Sequence, residues 1–289
     1  MTRKVLGTVL LALLAHLTFV PELRAAESVA MITDLTGRAT LRSGGASAPA
    51  ELLAYLAAGT ELKLEAGARV TVTFFSKPLE VTLTGPAQAS IAKDGATMQS
   101  GPPPRIRTLG AAVGSTARKF EPIARERLAL AAVVMRSGRP ELKLLAPANT
   151  KVLTATPEFA WTEITGAQYR LVLAERNGKI VLERALDQAS FKLEQPLRRA
   201  ATYTWHVQAQ PAKGEALQAE TTFSVASAAE ARTLAQGRPA PKASFSQRVL
   251  YATRLDALGF RHDAAAAWRA LRAERPEDET LRQLAGDAP

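Results

Sequence analysis

The sequence predicts a mainly β protein: two consecutive antiparallel β units followed by a short α-helical tail. Three observations carry this expectation. Apolar residues recur at every second position in short runs over residues 28–97 and again over 144–225, the spacing of half-buried strands. Glycines separate the runs at turn positions. After Val225 the alternation stops and helix-start signals replace it. A chain of 289 residues at 47% hydrophobic composition can fill two or three domains with real cores.

The N-terminus sets the compartment. Arg3 and Lys4 precede an apolar run over residues 5–20, Pro21 breaks it, and the small residues of "LRAAES" suit cleavage after Ala25. Residues 1–25 therefore read as a signal peptide, with an uncleaved N-terminal anchor as the alternative, and the chain is expected to be periplasmic or secreted. No other stretch is apolar and long enough to span a bilayer, so no transmembrane span is expected in the mature chain. The absence of cysteine excludes lipid anchoring after the signal and excludes disulfides, so packing alone must hold the units together. Loss of residues 1–25 removes three basic residues and one acidic residue from a formal charge of +10, leaving +8. The basic residues are scattered, without a dense Lys/Arg run interleaved with aromatics, so nucleic acid is not an expected partner.

Residues 26–98 form the first unit. "SVAMITDLTGRATLR" turns at Thr36-Gly37, "AAGTELKLEAGARVTVTFF" alternates through Leu62, Leu64, Val70, Val72 and Phe74, and "PLEVTLTGPAQASI" turns at Gly85-Pro86. This pattern is a small barrel or sandwich. The same order of features, the Gly37 turn, "AAGTELKL", "EAGARVTVTF" and the "GPA" turn before a last strand, resembles the FecR-type domain of exported bacterial proteins over about 65 residues. The resemblance implies an envelope location and a binding or regulatory role. It does not extend to the sigma-factor-binding segment and membrane helix that precede this region in the regulator that names the family.

Residues 99–143 read as a linker stiffened by three consecutive prolines, then a helix over about 121–136 with Pro122 in its first turn. Residues 144–226 give about seven strands, with Asn177-Gly178 as a hairpin signal, which suits an Ig-like β-sandwich. Pro157, Phe159 and Trp161, then Tyr169 and Leu171, then Tyr203, Trp205 and Val207 resemble the strand signatures of fibronectin-type or Ig-like envelope modules. In the run "TYTWHVQAQ", Tyr203, Trp205 and Val207 face one way and His206 the other. Trp161 and Trp205 are expected to form the aromatic centre of the sandwich, and His206 to lie outside it.

Residues 227–289 form the tail. Ser227-x-x-Glu230 and Ser244-x-x-Gln247 are capping-box patterns. "VLYATRLDALGFRHDAAAAWRALRAERPED" then reads as two helices joined at Gly259 and stopped at Pro276. The spacing of Ala252, Leu255, Gly259, Ala264, Trp268, Leu271 and Pro276 resembles one tetratricopeptide unit, with Arg248 in place of the repeat's first aromatic; a plain helical hairpin is the alternative. Ala252, Leu255, Ala264, Trp268 and Leu271 close the hairpin. Leu250, Leu258 and Phe260 need another surface, either the chain's own Ig-like unit or a partner, and are the candidate partner-binding residues.

Nothing nominates catalysis. His206 and His262 fall in different units, and no zincin, nucleophile-elbow, P-loop or dinucleotide-binding pattern is present. Asp256, His262 and Asp263 bracket the Gly259 turn, but Asp263 reads as the cap of the second helix and not as a metal ligand. The expected protein is no enzyme, takes no cofactor or metal, and binds or scaffolds an envelope protein; peptidoglycan or a polysaccharide is the other ligand class suggested by charge and aromatics. A periplasmic sensory partner of a membrane-bound signalling protein is the alternative.

Overall fold

The computed structural model describes residues 27–110, 116–123 and 141–286. The segment read as a signal peptide, and the predicted helix beyond Ile123, lie outside the described residues. The fold is mainly β, built of antiparallel sheets with short helices.

In the first unit, β1 (Ser28–Thr36), β4 (Tyr55–Ala57), β6 (Arg69–Phe74), β7 (Leu79–Thr84) and β10 (Arg105–Thr108) make a five-stranded sheet in the order β10-β7-β6-β1-β4. A second five-stranded sheet holds β2 (Ala39–Ser43), β3 (Ala46–Pro49), β5 (Glu61–Leu64), β8 (Ala87–Ala92) and β9 (Gly95–Ser100) in the order β3-β2-β5-β8-β9. Their facing side chains, among them Ile32, Leu62, Val72, Phe74, Leu83 and Ile91, form one apolar core. Gly37 and Gly85 are among the glycines this unit cannot replace. Gly37 has φ 75°, and a Cβ there would meet the Ala68 backbone at 2.8 Å; a Cβ on Gly85 would meet the Glu65 carbonyl oxygen at 1.9 Å.

β10 lies inside the stretch expected to be linker. The three prolines end at Pro104, and the next four residues pair with β7 from Arg105↔Thr82 to Thr108↔Leu79. Charge explains the capture. Glu80 on β7 is buried, and Arg107 supplies its counterion, with Nε donating to Oε2 at 2.7 Å.

The second unit is a smaller sandwich. β11 (Leu144–Ala146), β13 (Glu158–Trp161) and β16 (Ser190–Lys192) form a three-stranded sheet in the order β11-β13-β16. It faces a five-stranded sheet of β12 (Thr150–Val152), β14 (Gln168–Glu175), β15 (Ile180–Leu186), β17 (Thr202–Gln210) and β18 (Leu217–Val225), ordered β12-β18-β17-β14-β15. Trp205 sits at the centre, fully buried, edge-on to Phe159 at 5.0 Å, with its indole N–H donating to the Pro147 carbonyl at 2.8 Å. Trp161 lies 6.3 Å from it and meets Tyr169 edge-on at 5.4 Å. His206 is half-buried on the opposite face of β17. At the Asn177-Gly178 hairpin only Gly178 takes positive φ, 86°, so the loop is not the two-residue mirror-image turn but a longer one closed by Gly178 N–H to the Glu175 carbonyl at 2.8 Å.

The helices among the described residues are α1 (116–123), α2 (Ala228–Gln236), α3 (Phe245–Ala257), α4 (Arg261–Glu274) and α5 (Glu279–Ala285). α1 is already helical ahead of Glu121, where the sequence placed its start. Both capping boxes form, at Ser227/Glu230 and Ser244/Gln247. α4 differs from expectation: its N-cap is Phe260, with no side-chain cap, and Asp263 lies in the first turn facing another unit.

The tail does not pack on the second sandwich alone. Its apolar core is continuous with α1 and with the outward face of the first sandwich, joining Met31, Phe75, Phe120, Phe245, Phe260 and Trp268 in one cluster. This explains why β1 and β6 are buried on both faces. Leu53 adopts a left-handed backbone, φ 62°, and its side chain belongs to the same cluster, a strain that tail packing offsets.

Candidate binding seam

α4 is held from both sides. Toward the first sandwich, the Arg275 guanidinium donates to Asp34 Oδ1 at 2.6 Å and to the Leu35 carbonyl at 3.0 Å, and lies 3.4 Å from the Phe245 ring centre. The Ser246 hydroxyl, on the first turn of α3, lies 2.8 Å from Thr33 Oγ1 and donates to the buried Glu80 carboxylate. A polar ladder of Thr33 and Thr73 continues across the sheet at 3.0 Å. These polar groups are buried only because each has a partner.

Toward the second sandwich, the Leu258–Phe260 turn caps the free edge of β12. Lys151 N–H donates to the Gly259 carbonyl at 2.9 Å, and Leu153 N–H to Asp263 Oδ2 at 3.1 Å. Thr150 Oγ1 accepts from His262 N–H at 3.2 Å. The Lys151 ammonium reaches Glu230 at 2.7 Å and lies 5.2 Å from the Phe260 ring centre. Burial pushes the Asp263 carboxyl above its ordinary range, against the lowering effect of the Leu153 bond. The Tyr251 hydroxyl is also pushed up, chiefly by burial.

Glu230 behaves in the opposite sense. Its hydrogen bond with Lys151, then the Ser227 backbone N–H, pull its carboxyl down to about 2. A folded-state value below the ordinary 4.5 means that the link is complete above that pH and is lost as pH falls from 4.5 toward about 2. Thermal melts across that interval should fall more steeply for the native chain than for Glu230→Gln; parallel curves would show that the link carries no stability.

Among the described residues, clefts converge on the first turn of α4 from three sides. One of about 470 Å³ includes Thr150, Gly259 and Arg261; one of about 330 Å³ includes Tyr251, His262 and Asp263. The third, about 530 Å³, runs between α4 and the outer face of the three-stranded sheet. Its walls carry Arg261 and Arg269 on one side and Glu158 and Leu145 on the other.

The residues singled out in the sequence are separated here. Phe260 is fully buried in the tail cluster, Leu250 is half-buried against it, and Leu258 is 39% exposed on the turn. Asp256 accepts the Trp268 indole N–H at 2.7 Å inside the core, while Asp263 faces β12. Among the described residues no three His, Cys, Asp or Glu side chains stand together as a metal site would require. No described helix is long and apolar enough to cross a membrane. The groove residues Arg261 and Arg269 were missed, although their eight-residue spacing around Ala265 places them along one flank of a helix.

No protein-family model matches the chain, and no curated protein does. Solved structures give low-scoring likenesses. CopC from Methylosinus trichosporium OB3b is 16% identical over 30% of this chain and 94% of its own, at a TM-score of 0.24. A cytokine receptor complex is 14% identical over 68% of this chain and 90% of its own, at 0.23. The fibronectin(III)-like modules of Clostridium thermocellum CbhA are 9% identical over 66% of this chain and 78% of theirs, at 0.22. Scores this low do not define a shared architecture.

Proposed function

We propose that the chain is an exported, non-catalytic scaffold of the bacterial envelope, built from a FecR-like unit, a fibronectin- or Ig-like unit and a tetratricopeptide-like hairpin that joins them. One observation carries the reading: the helical tail shares a single apolar core with α1 and the first sandwich while capping an edge of the second. Such a keystone fixes two β units in one orientation, which serves presentation of surfaces more than chemistry.

The fibronectin- or Ig-like reading is supported by strand order and by a tyrosine corner at Tyr203. Tyr203 OH, at the start of β17, accepts from Arg198 N–H at 2.9 Å and donates to the Arg198 carbonyl, and Tyr169 OH does the same with Ile164.

Photo-crosslinking tests the function. A crosslinker at Leu258, and another at Ile180, which is 59% exposed on the edge strand β15, should each be tried in intact cells. A discrete adduct with an envelope component is expected at one of them. No adduct above the unirradiated control at either position contradicts a docking scaffold.

A further inference from the structure

We propose that the groove between α4 and the outer face of the three-stranded sheet docks an extended acidic peptide segment of a partner protein, an inference that rests on the scaffold reading above. The charge arrangement names the ligand. Arg261 and Arg269 are exposed and have no ion pair among the described residues. Two arginines at the far end of α4 are engaged by contrast: Arg275 on Asp34, and Arg272 on the Gly286 carbonyl. Two cations left open on a concave wall draw anions, and the basic charge of the chain favours their approach.

Spacing selects the conformation. Eight residues of helix separate the two arginines by about 12 Å along the axis. An extended chain repeats its same-face side chains every two residues, so acids four residues apart lie about 13–14 Å apart. The walls suit a backbone: Ala146, Ala160, Ala265 and Ala285 are small, and Leu145, 38% exposed, offers one apolar contact. Among the described residues no Phe, Tyr or Trp lines the groove, so they offer no flat ring on which a sugar would stack. Glu158 on the sheet side holds the ligand's carboxylates to the α4 wall.

The test titrates a fluorescein-labelled oligoglutamate peptide with the full chain by anisotropy, beside a labelled oligogalacturonate. The peptide should bind, and Arg261→Glu and Arg269→Glu should each weaken it by roughly tenfold or more, the effect of losing a charged hydrogen bond. Glu158→Gln should tighten binding, and Arg42→Glu, exposed on β2 of the first sandwich, should leave it unchanged. All four side chains are exposed, so unchanged melting temperatures are expected of each variant. Absence of peptide binding, an equal loss in Arg42→Glu, weaker binding in Glu158→Gln, or arginine-dependent binding of the oligogalacturonate in place of the peptide would overturn the proposal. Peptide silence with adducts still formed at Leu258 or Ile180 removes the groove alone and leaves the scaffold standing.

Discussion

Trp268→Ala is expected to destabilise the chain by about 3–5 kcal/mol, the range for emptying a large aromatic site in a packed core. Trp268 is fully buried, stacks on Phe120 of α1 at 6.1 Å, and donates its indole N–H to Asp256. Removing it opens a cavity at the meeting point of α1, α3 and α4 and deprives the buried Asp256 carboxylate of a donor, so the cost should fall in the upper part of the range. Denaturant melts read the change. A single domain is stable by only about 5–15 kcal/mol, so undocking of the tail should precede loss of the sandwiches, visible as a second transition. A single transition displaced by under about 1 kcal/mol would mean that the tail core is not continuous with α1.

Trp205→Ala should cost a similar amount, about 3–5 kcal/mol, but within the second sandwich. It removes the ring packed on Phe159 and leaves the Pro147 carbonyl without its donor. His206→Ala, one residue along β17 and on the other face, should shift the melt by under about 1 kcal/mol. Equal shifts in the pair would reverse the assignment of strand faces. The contrast turns on period-two geometry alone, since the two residues share one backbone.

That geometry is the part of the fold most legible in the sequence. Strands of strict alternation, such as Thr202–Gln210 and Ala87–Ala92, read directly as half-buried, and the two capping boxes marked α2 and α3 to the residue. Strands buried on both faces were harder. In Arg69–Phe74 the threonines between the apolar residues look solvent-facing, yet Thr71 and Thr73 are buried because a helical tail distant in sequence covers them. β10 was illegible for a related reason: a four-residue strand after prolines has no local signal, and its pairing depends on Glu80 and Arg107 meeting in space. Asp263 read as a helix cap because local sequence cannot reveal that the free N–H of Leu153 would arrive from another unit. The groove arginines were overlooked because a charged helix flank normally faces only water; the sheet opposite gives Arg261 and Arg269 a site to line.

Hydrogen exchange on a chain ended after Ala243 tests most directly whether the tail is the keystone between the two sandwiches. The amides of Lys151 and Leu153 donate to Gly259 and Asp263, acceptors that this truncation removes. Both should lose protection, and the outward face of β1 should open with them, while the amides of β17 around Trp205 stay slow. Full protection at Lys151 and Leu153 together with an unchanged melting temperature in the shortened chain would contradict the account.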